Sequence, residues 1–364
     1  MSVISGLTHS VMKIKFPIKY LGWQVGLSYQ TTRPEGKRPV ELRHLVREMR
    51  DHGMNFLSLM LLSYSYFDDH DGFCWPPRRQ NLRCYRDEHS LNADEKTEFL
   101  GDVIREACQA GLHVQLMTNW GVWNPERIRK GYPAATLQER SDGSRAGWLH
   151  CPDNPDVYRC GRDEMLDSLE RYAAQGVKSY AIEYPGYDGC FCQITCEVFA
   201  RETGETLTPQ WAQAHPAEFD RWKQEHIGGI LKRLVADVHA QFPSIEIWLH
   251  TACTHGRGHS PTFIQKAGIP VVIPYMMHTA GDFSDIPQNL CAVAPLPAVG
   301  HVCVRSQPFK NYPVPPKNPE VIKNFFDAFE RPEADNLIGL MFFNESCVSQ
   351  ENRRAVYDGI RRLL

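Results

Sequence analysis

Short apolar runs alternate along the chain with amphipathic stretches of helical period. Lys19–Tyr29 (KYLGWQVGLSY), Asn55–Tyr64 (NFLSLMLLSY), Leu112–Thr118, Val177–Glu183 (VKSYAIE), Ile245–Thr251, Val271–Met277, Ala298–Arg305 and Leu337–Asn344 predict eight strands. Their near-continuous apolar character fits strands buried on both faces, as in a parallel sheet covered by helices. Apolar positions at helical spacing predict helices over Val40–His52, Asp94–Ala110, Asp156–Gln175, Cys192–Thr203, Ala217–Gln241, Pro261–Ala267, Pro319–Phe329 and Glu351–Leu363. Glycines at 53, 111 and 176 stop three elements. The helix between the sixth and seventh strands is the least clearly marked, at Asp282–Cys291. Eight such units predict an α/β fold, a (β/α)8 TIM barrel forming a single domain over residues 1–364. An open doubly wound sheet would want a glycine-rich turn after the first strand. The segment after Tyr29, QTTRPEGKRP, has no G-x-G-x-x-G.

Composition narrows the function classes. The chain is 42% hydrophobic and 23% charged, with a net charge of −3. That is ordinary globular composition, and it lacks the basic surface that nucleic-acid binding needs. No apolar run approaches the roughly 18 residues of a membrane span, and the first twenty residues do not read as a signal peptide. Twelve irregularly spaced cysteines suit free thiols or a metal site in the cytoplasm better than a disulfide framework. Neither nucleic acid nor membrane is an expected partner, and a homo-oligomer stays open.

In a barrel, chemistry sits where strands end and loops begin. The predicted strand ends carry Tyr29, Asn119, Trp120, Glu183, Tyr184, His250, Tyr275, His278, Arg305 and Glu345. Flat rings stack on the apolar faces of sugars, while amides and carboxylates bind their hydroxyls. Glycosidic hydrolysis needs two carboxyl groups flanking the anomeric carbon. Glu183 and Glu345 each follow a strongly apolar run and are the candidate catalytic pair. Tyr29, Asn119, Trp120, Tyr184, His250, Tyr275, His278 and Arg305 are the expected contacts to a small carbohydrate or glycoside, and no organic cofactor is expected. The same positions admit a second reading. Glu183, His250, His278 and Glu345 could ligate a divalent metal for sugar isomerisation, epimerisation or elimination. A third is a barrel that binds carbohydrate without turning it over. His301 falls inside a strand and is set aside. Trp75, Tyr66 and Arg78, in the long loop after the second strand, are candidate walls of a sugar subsite.

Three cysteines, Cys190, Cys192 and Cys196, fall within DGCFCQITC. Zinc takes four ligands in structural sites. Cys151, in the preceding loop, is the natural fourth, Cys160 the alternate, and buried thiols or a disulfide the competing explanation. The run HCPDNPDVYR, with this cluster, resembles the zinc-containing β-galactosidase family of the (β/α)8 glycoside hydrolase clan. A looser similarity runs to glycosidase-like barrels in which a strand ending in an acid precedes a C-x-C cluster. The resemblance implies structural zinc on Cys151, Cys190, Cys192 and Cys196, and acid/base catalysis by Glu183. The chain departs from that family in three places. The last cysteine gap is one residue longer. Ile182-Glu183 replaces an Asn-Glu pair. The seventh strand, AVGHVCVRSQ, has no glutamate. Glu345 is therefore the first substitute for the second catalyst, and Asp188 the next.

Overall fold

The computed structural model describes residues 18–27, 38–63, 72–84, 99–184, 186–251, 259–274, 286–307, 315–327, 336–343 and 345–364. Eight parallel strands close into a barrel: β1 (Tyr20–Gly26), β2 (Phe56–Met60), β3 (His113–Asn119), β4 (Ser179–Tyr184), β5 (Glu246–Thr251), β6 (Val272–Pro274), β7 (Ala298–Cys303) and β8 (Leu337–Phe343). Each pairs with its neighbour in sequence, and β1 pairs with β8. Each falls inside its predicted run or within one residue of it. Every residue of β1, β2, β4 and β7 is buried, as two-sided coverage requires.

The helices are α1 (Arg38–Asp51), α2 (Leu100–Gln109), α3 (Pro125–Gly131), α4 (Pro155–Tyr172), α5 (Gln193–Thr203), α6 (Pro209–Ala214), α7 (Pro216–His239), α8 (Pro261–Lys266), α9 (Ile286–Val293), α10 (Pro319–Asp327) and α11 (Gln350–Leu363). Several features escape the sequence pattern: a single helical turn at Gln80–Arg83, α3, α6 and two antiparallel hairpins, Leu62–Ser63 with Gly72–Phe73 and, in the loop after β3, Leu137–Glu139 with Arg145–His150. All are too short to show a period. The DNPD run starts α4. Asn154 accepts hydrogen bonds from the amides of Asp156 (2.9 Å) and Val157 (3.3 Å), and Pro155 takes the first helical position.

Large rings fill the barrel near the N-terminal ends of the strands. Trp248 lies 4.9 Å from Tyr20 and 5.5 Å from both Phe56 and His113. Burial lowers the His113 pKa to about 4. The next layer is polar, and its side chains hydrogen-bond to one another. Ser58 donates to Gln115 (3.0 Å), Gln115 donates to Ser179 (3.2 Å), and Gln24 accepts from His301 (2.7 Å). The stable apolar plug lies at one end, and polar chemistry begins above it.

Candidate active site at the mouth of the barrel

β1 and β7 are separated by β8, so the Gln24–His301 bond crosses the barrel interior. The His250 ring lies 4.5 Å from that of His301, which places His250 inside as well. Asn119, Glu183 and His250 are register partners on β3, β4 and β5. Paired residues in a parallel sheet share a face, so all three point inward at the C-terminal ends of their strands. All three are buried. Phe343 continues the row, 4.9 Å from His301, and the Arg305 guanidinium stands 6.0 Å from the Phe343 ring. The mouth thus gathers Asn119, Glu183, His250 and Arg305. His301 and Gln24 join them, although sequence reading passed both over. The signal for His301 was its polar character at an inward-facing position of AVGHVC.

Trp120 and Tyr184 face the other way. The Trp120 amide donates to the Glu183 carbonyl (2.8 Å), fixing the backbone under the carboxylate. Its ring packs on Gly161 of α4, where an added Cβ would lie 2.0 Å from Trp120 Cδ1. Tyr184 follows Glu183 on the strand, so alternation sends it outward, to 4.8 Å from the Trp120 ring. Neither ring joins the inward row, in contrast to the expected sugar contacts. Glu345 also differs from expectation. It begins a one-turn 3-10 helix, Glu345–Cys347, and accepts a hydrogen bond from Arg353 of α11. Arg353 in turn pairs with Glu48 of α1 (3.0 Å), so the Glu345 carboxylate faces the helical layer. Asp188 is exposed. Tyr29, Tyr275, His278 and Tyr66 lie outside the described residues. Of the four alternative metal ligands, only Glu183 and His250 are seen side by side.

Trp75 does not form a subsite wall. Its indole donates to Asp167 (2.8 Å), and the backbone amides of Arg78 and Arg79 donate to the same carboxylate (2.8 and 2.7 Å). Neighbouring acids of α4 act in the same way on other loops. Glu164 accepts from Trp123 (2.5 Å) and Asp163 from Tyr132 (2.9 Å). Burial holds the Glu164 carboxyl well above its usual range. The buried face of α4 therefore fastens the loops after β2 and β3.

The thiols of Cys151, Cys190 and Cys192 converge, with all sulfurs within 4.8 Å of one another. Cys151 and Cys192 approach to 3.5 Å. Hydrogen bonds from Cys151 and Cys190 hold the Cys192 thiol well below its usual range. Cys192 is the N-cap of α5. Cys196, one turn later, points instead at the carbonyls of Phe191 (3.5 Å) and Leu207 (3.6 Å). Cys160 is occupied elsewhere, against Glu164. The donor chemistry suits a thiolate metal centre, but the described residues supply three of the four expected sulfurs. Gly189, at φ +115°, makes the turn into the cluster, and a Cβ there would meet Phe219 at 2.8 Å.

Beside the cluster, Thr195 donates to Asp153 (2.6 Å), which also binds His226 Nε2. His226 Nδ1 lies 3.3 Å from Glu202. Burial alone would lower the His226 pKa, but hydrogen bonds to Asp153 and Glu202 outweigh it and raise the pKa to about 9 from 6.5. A raised pKa stabilises the folded state fully below the unfolded value and loses that contribution as pH climbs through the folded one. The melting temperature is expected to fall between about pH 6.5 and 9, by the equivalent of at most about 3 kcal/mol at 1.36 kcal/mol per pH unit. His226→Gln should flatten that slope. Parallel pH profiles for the two proteins would refute the assignment.

No family model and no curated protein matches the sequence. Solved structures do match. The glycoside hydrolase domain of PgaB (BpsB) from Bordetella bronchiseptica superposes with a TM-score of 0.68 at 14% identity, covering 95% of this chain and 98% of that one. The β-galactosidase of Bacillus circulans sp. alkalophilus gives 0.60 at 15% identity, covering 96% of this chain and 56% of that one, so this chain spans little more than half its length. The catalytic domain of β-amylase from Paenibacillus polymyxa gives 0.60 at 9% identity, covering 95% and 98%. In its fold, the chain is a (β/α)8 barrel, the architecture it shares with these three solved structures.

Proposed function

We propose that the protein hydrolyses a glycosidic bond, with Glu183 as its acid/base. One observation carries this reading. Glu183 and Glu246 are the acids among the described barrel-strand residues, and Glu246 lies at the opposite end of its strand. Glu183 alone is thus a strand carboxylate at the catalytic end, flanked by Asn119 and His250 on the adjacent strands. A general acid at this position would need its pKa raised by burial or by a partner. Asn119, His250 and Arg305 are proposed to bind the sugar.

Glu345 stays the proposed second carboxyl group by its position directly after β8. For that role it must exchange Arg353 for substrate. If it is instead a brace for α11, Glu345→Gln will lower the melting temperature and leave kcat unchanged. Cys151, Cys190 and Cys192 are proposed to hold a structural metal that ties the loops after β3 and β4 together. Among the described residues no helix is long and apolar enough to cross a membrane. A cytoplasmic location is proposed from the irregular spacing of the twelve cysteines, which suits free thiols or a metal site better than a disulfide framework.

The test is a turnover screen over aryl glycosides, with wild type and Glu183→Gln, before and after brief chelation. Aglycone release that is lost in the variant and insensitive to chelator supports the proposal and names the sugar. Chelator-sensitive isomerisation or elimination without hydrolysis would replace it with the metal-dependent reading.

A further inference from the structure

Gln24 and His301 stand inside the apolar runs YLGWQVG and AVGHVC, and both are buried. Burying an amide and an imidazole is unfavourable unless each finds a partner. Two apolar side chains would fill the same space without that requirement. Here the two are tied to each other instead, across the barrel from β1 to β7 (2.7 Å).

That bond has a defined direction. The Gln24 amide nitrogen faces the Met117 sulfur at 3.6 Å, and a thioether accepts hydrogen bonds but cannot donate them. Turning the amide over would set its oxygen against that sulfur with no proton between them. Met117 thus leaves Gln24 Oε1 for His301. An amide oxygen only accepts, so His301 Nε2 carries the proton. Turning the imidazole by half a rotation would put carbon at Gln24 and lose the bond. Phe343 packs against the same ring at 4.9 Å. His301 is therefore held in one orientation. His250 rests on it, with ring centroids 4.5 Å apart and planes at 73°. His250 is in turn the register partner of Glu183.

We propose that Gln24 and His301 are positioning residues, which fix the His250 ring in the orientation that meets the sugar beside Glu183. Met117 sets the amide, the amide sets His301, and His301 sets His250. The effect on turnover rests on the glycosidase reading of the mouth. The orientation itself belongs to the resting protein and can be measured there.

The experiment uses the full chain labelled with nitrogen-15 histidine, in long-range proton–nitrogen spectra. His301 and His250 are assigned by the signals missing from His301→Gln and His250→Ala. In wild type, His301 should be protonated at Nε2, a measurement that needs no variant to fold. Gln24→Leu removes the acceptor and should both mix the His301 tautomers and shift the His250 ring signals. With a glycoside found in the turnover screen, Gln24→Leu should lower kcat/KM about 10-fold or more, since a misplacement of about 1 Å can cost about 100-fold. In a His250→Ala background the same substitution should add less than about twofold, because it acts through a ring no longer present. A His301 Nε2 without its proton in wild type, His250 signals unmoved in Gln24→Leu, or losses that multiply in the double variant would each overturn the inference. If wild type turns over no glycoside, the glycosidase reading fails and the spectra still decide the positioning.

Discussion

Glu183→Gln is expected to lower kcat for glycoside hydrolysis by about 10²- to 10⁴-fold, the usual contribution of a positioned proton donor or acceptor. The amide keeps the size and shape of the side chain but can neither hold nor release the proton. Because Glu183 is buried between Asn119 and His250, the substitution removes no packing. The melting temperature should stay near that of wild type or rise slightly, since burying an ionisable carboxyl group costs more than burying an amide. Substrates with good leaving groups should be affected least if Glu183 acts as the acid, because they need little protonation. A variant that loses activity together with its fold would not bear on the role. A folded variant with undiminished kcat would remove Glu183 from the mechanism.

The largest stability effect is expected at Asp167. Its carboxylate accepts from three donors, the Trp75 indole and the amides of Arg78 and Arg79, and is fully buried. Asp167→Ala leaves those donors without their acceptor at the base of the loop after β2. Each unsatisfied buried donor costs about 1–3 kcal/mol, partly offset because the buried charge goes too. A net loss of about 3–5 kcal/mol is expected, with faster proteolysis in the segment around Trp75. Asp167→Asn retains an acceptor oxygen and should lose less. Equal melting temperatures for wild type and Asp167→Ala would show that the loop is held by other contacts.

The barrel was legible in the sequence because strands buried on both faces must be apolar throughout, and runs such as NFLSLMLL and LIGLMFF leave little else to be. Alternation with helices then fixed the topology. The inward row was legible in part. Glu183, Asn119, His250 and Arg305 stand out as polar residues ending apolar runs. Which way a residue just past the strand turns was not legible. Glu345 and Trp120 both follow strand ends, yet one is drawn outward by Arg353 and the other by the space that Gly161 leaves on α4. These partners lie on different elements, and no local pattern reports them. The three converging thiols were visible as a cluster and the start of α5 was read to within one residue, but the side-chain orientation that turns the Cys196 sulfur to the Phe191 and Leu207 carbonyls was not legible. The acids of α4 read as an ordinary polar helix face, because their ligands are indole and backbone groups from distant loops.

The hairpin after β3 has a consequence for engineering. Loops at the mouth of such barrels are commonly treated as interchangeable parts, since each is anchored to its own strand and helix. Here the loops after β3 and β4 are sewn to each other. The Phe191 amide donates to the Glu139 carbonyl (2.8 Å), the Glu139 amide meets the Cys190 sulfur (3.3 Å), and Cys151 at the end of the hairpin touches Cys192 across the gap. Grafting either loop alone into another barrel would strand half of a seam. A transplant must carry residues from Gly121 to Cys192 as one cassette, with β4 and Glu183 inside it. For this part of the mouth, the unit of exchange is a pair of loops and the strand between them.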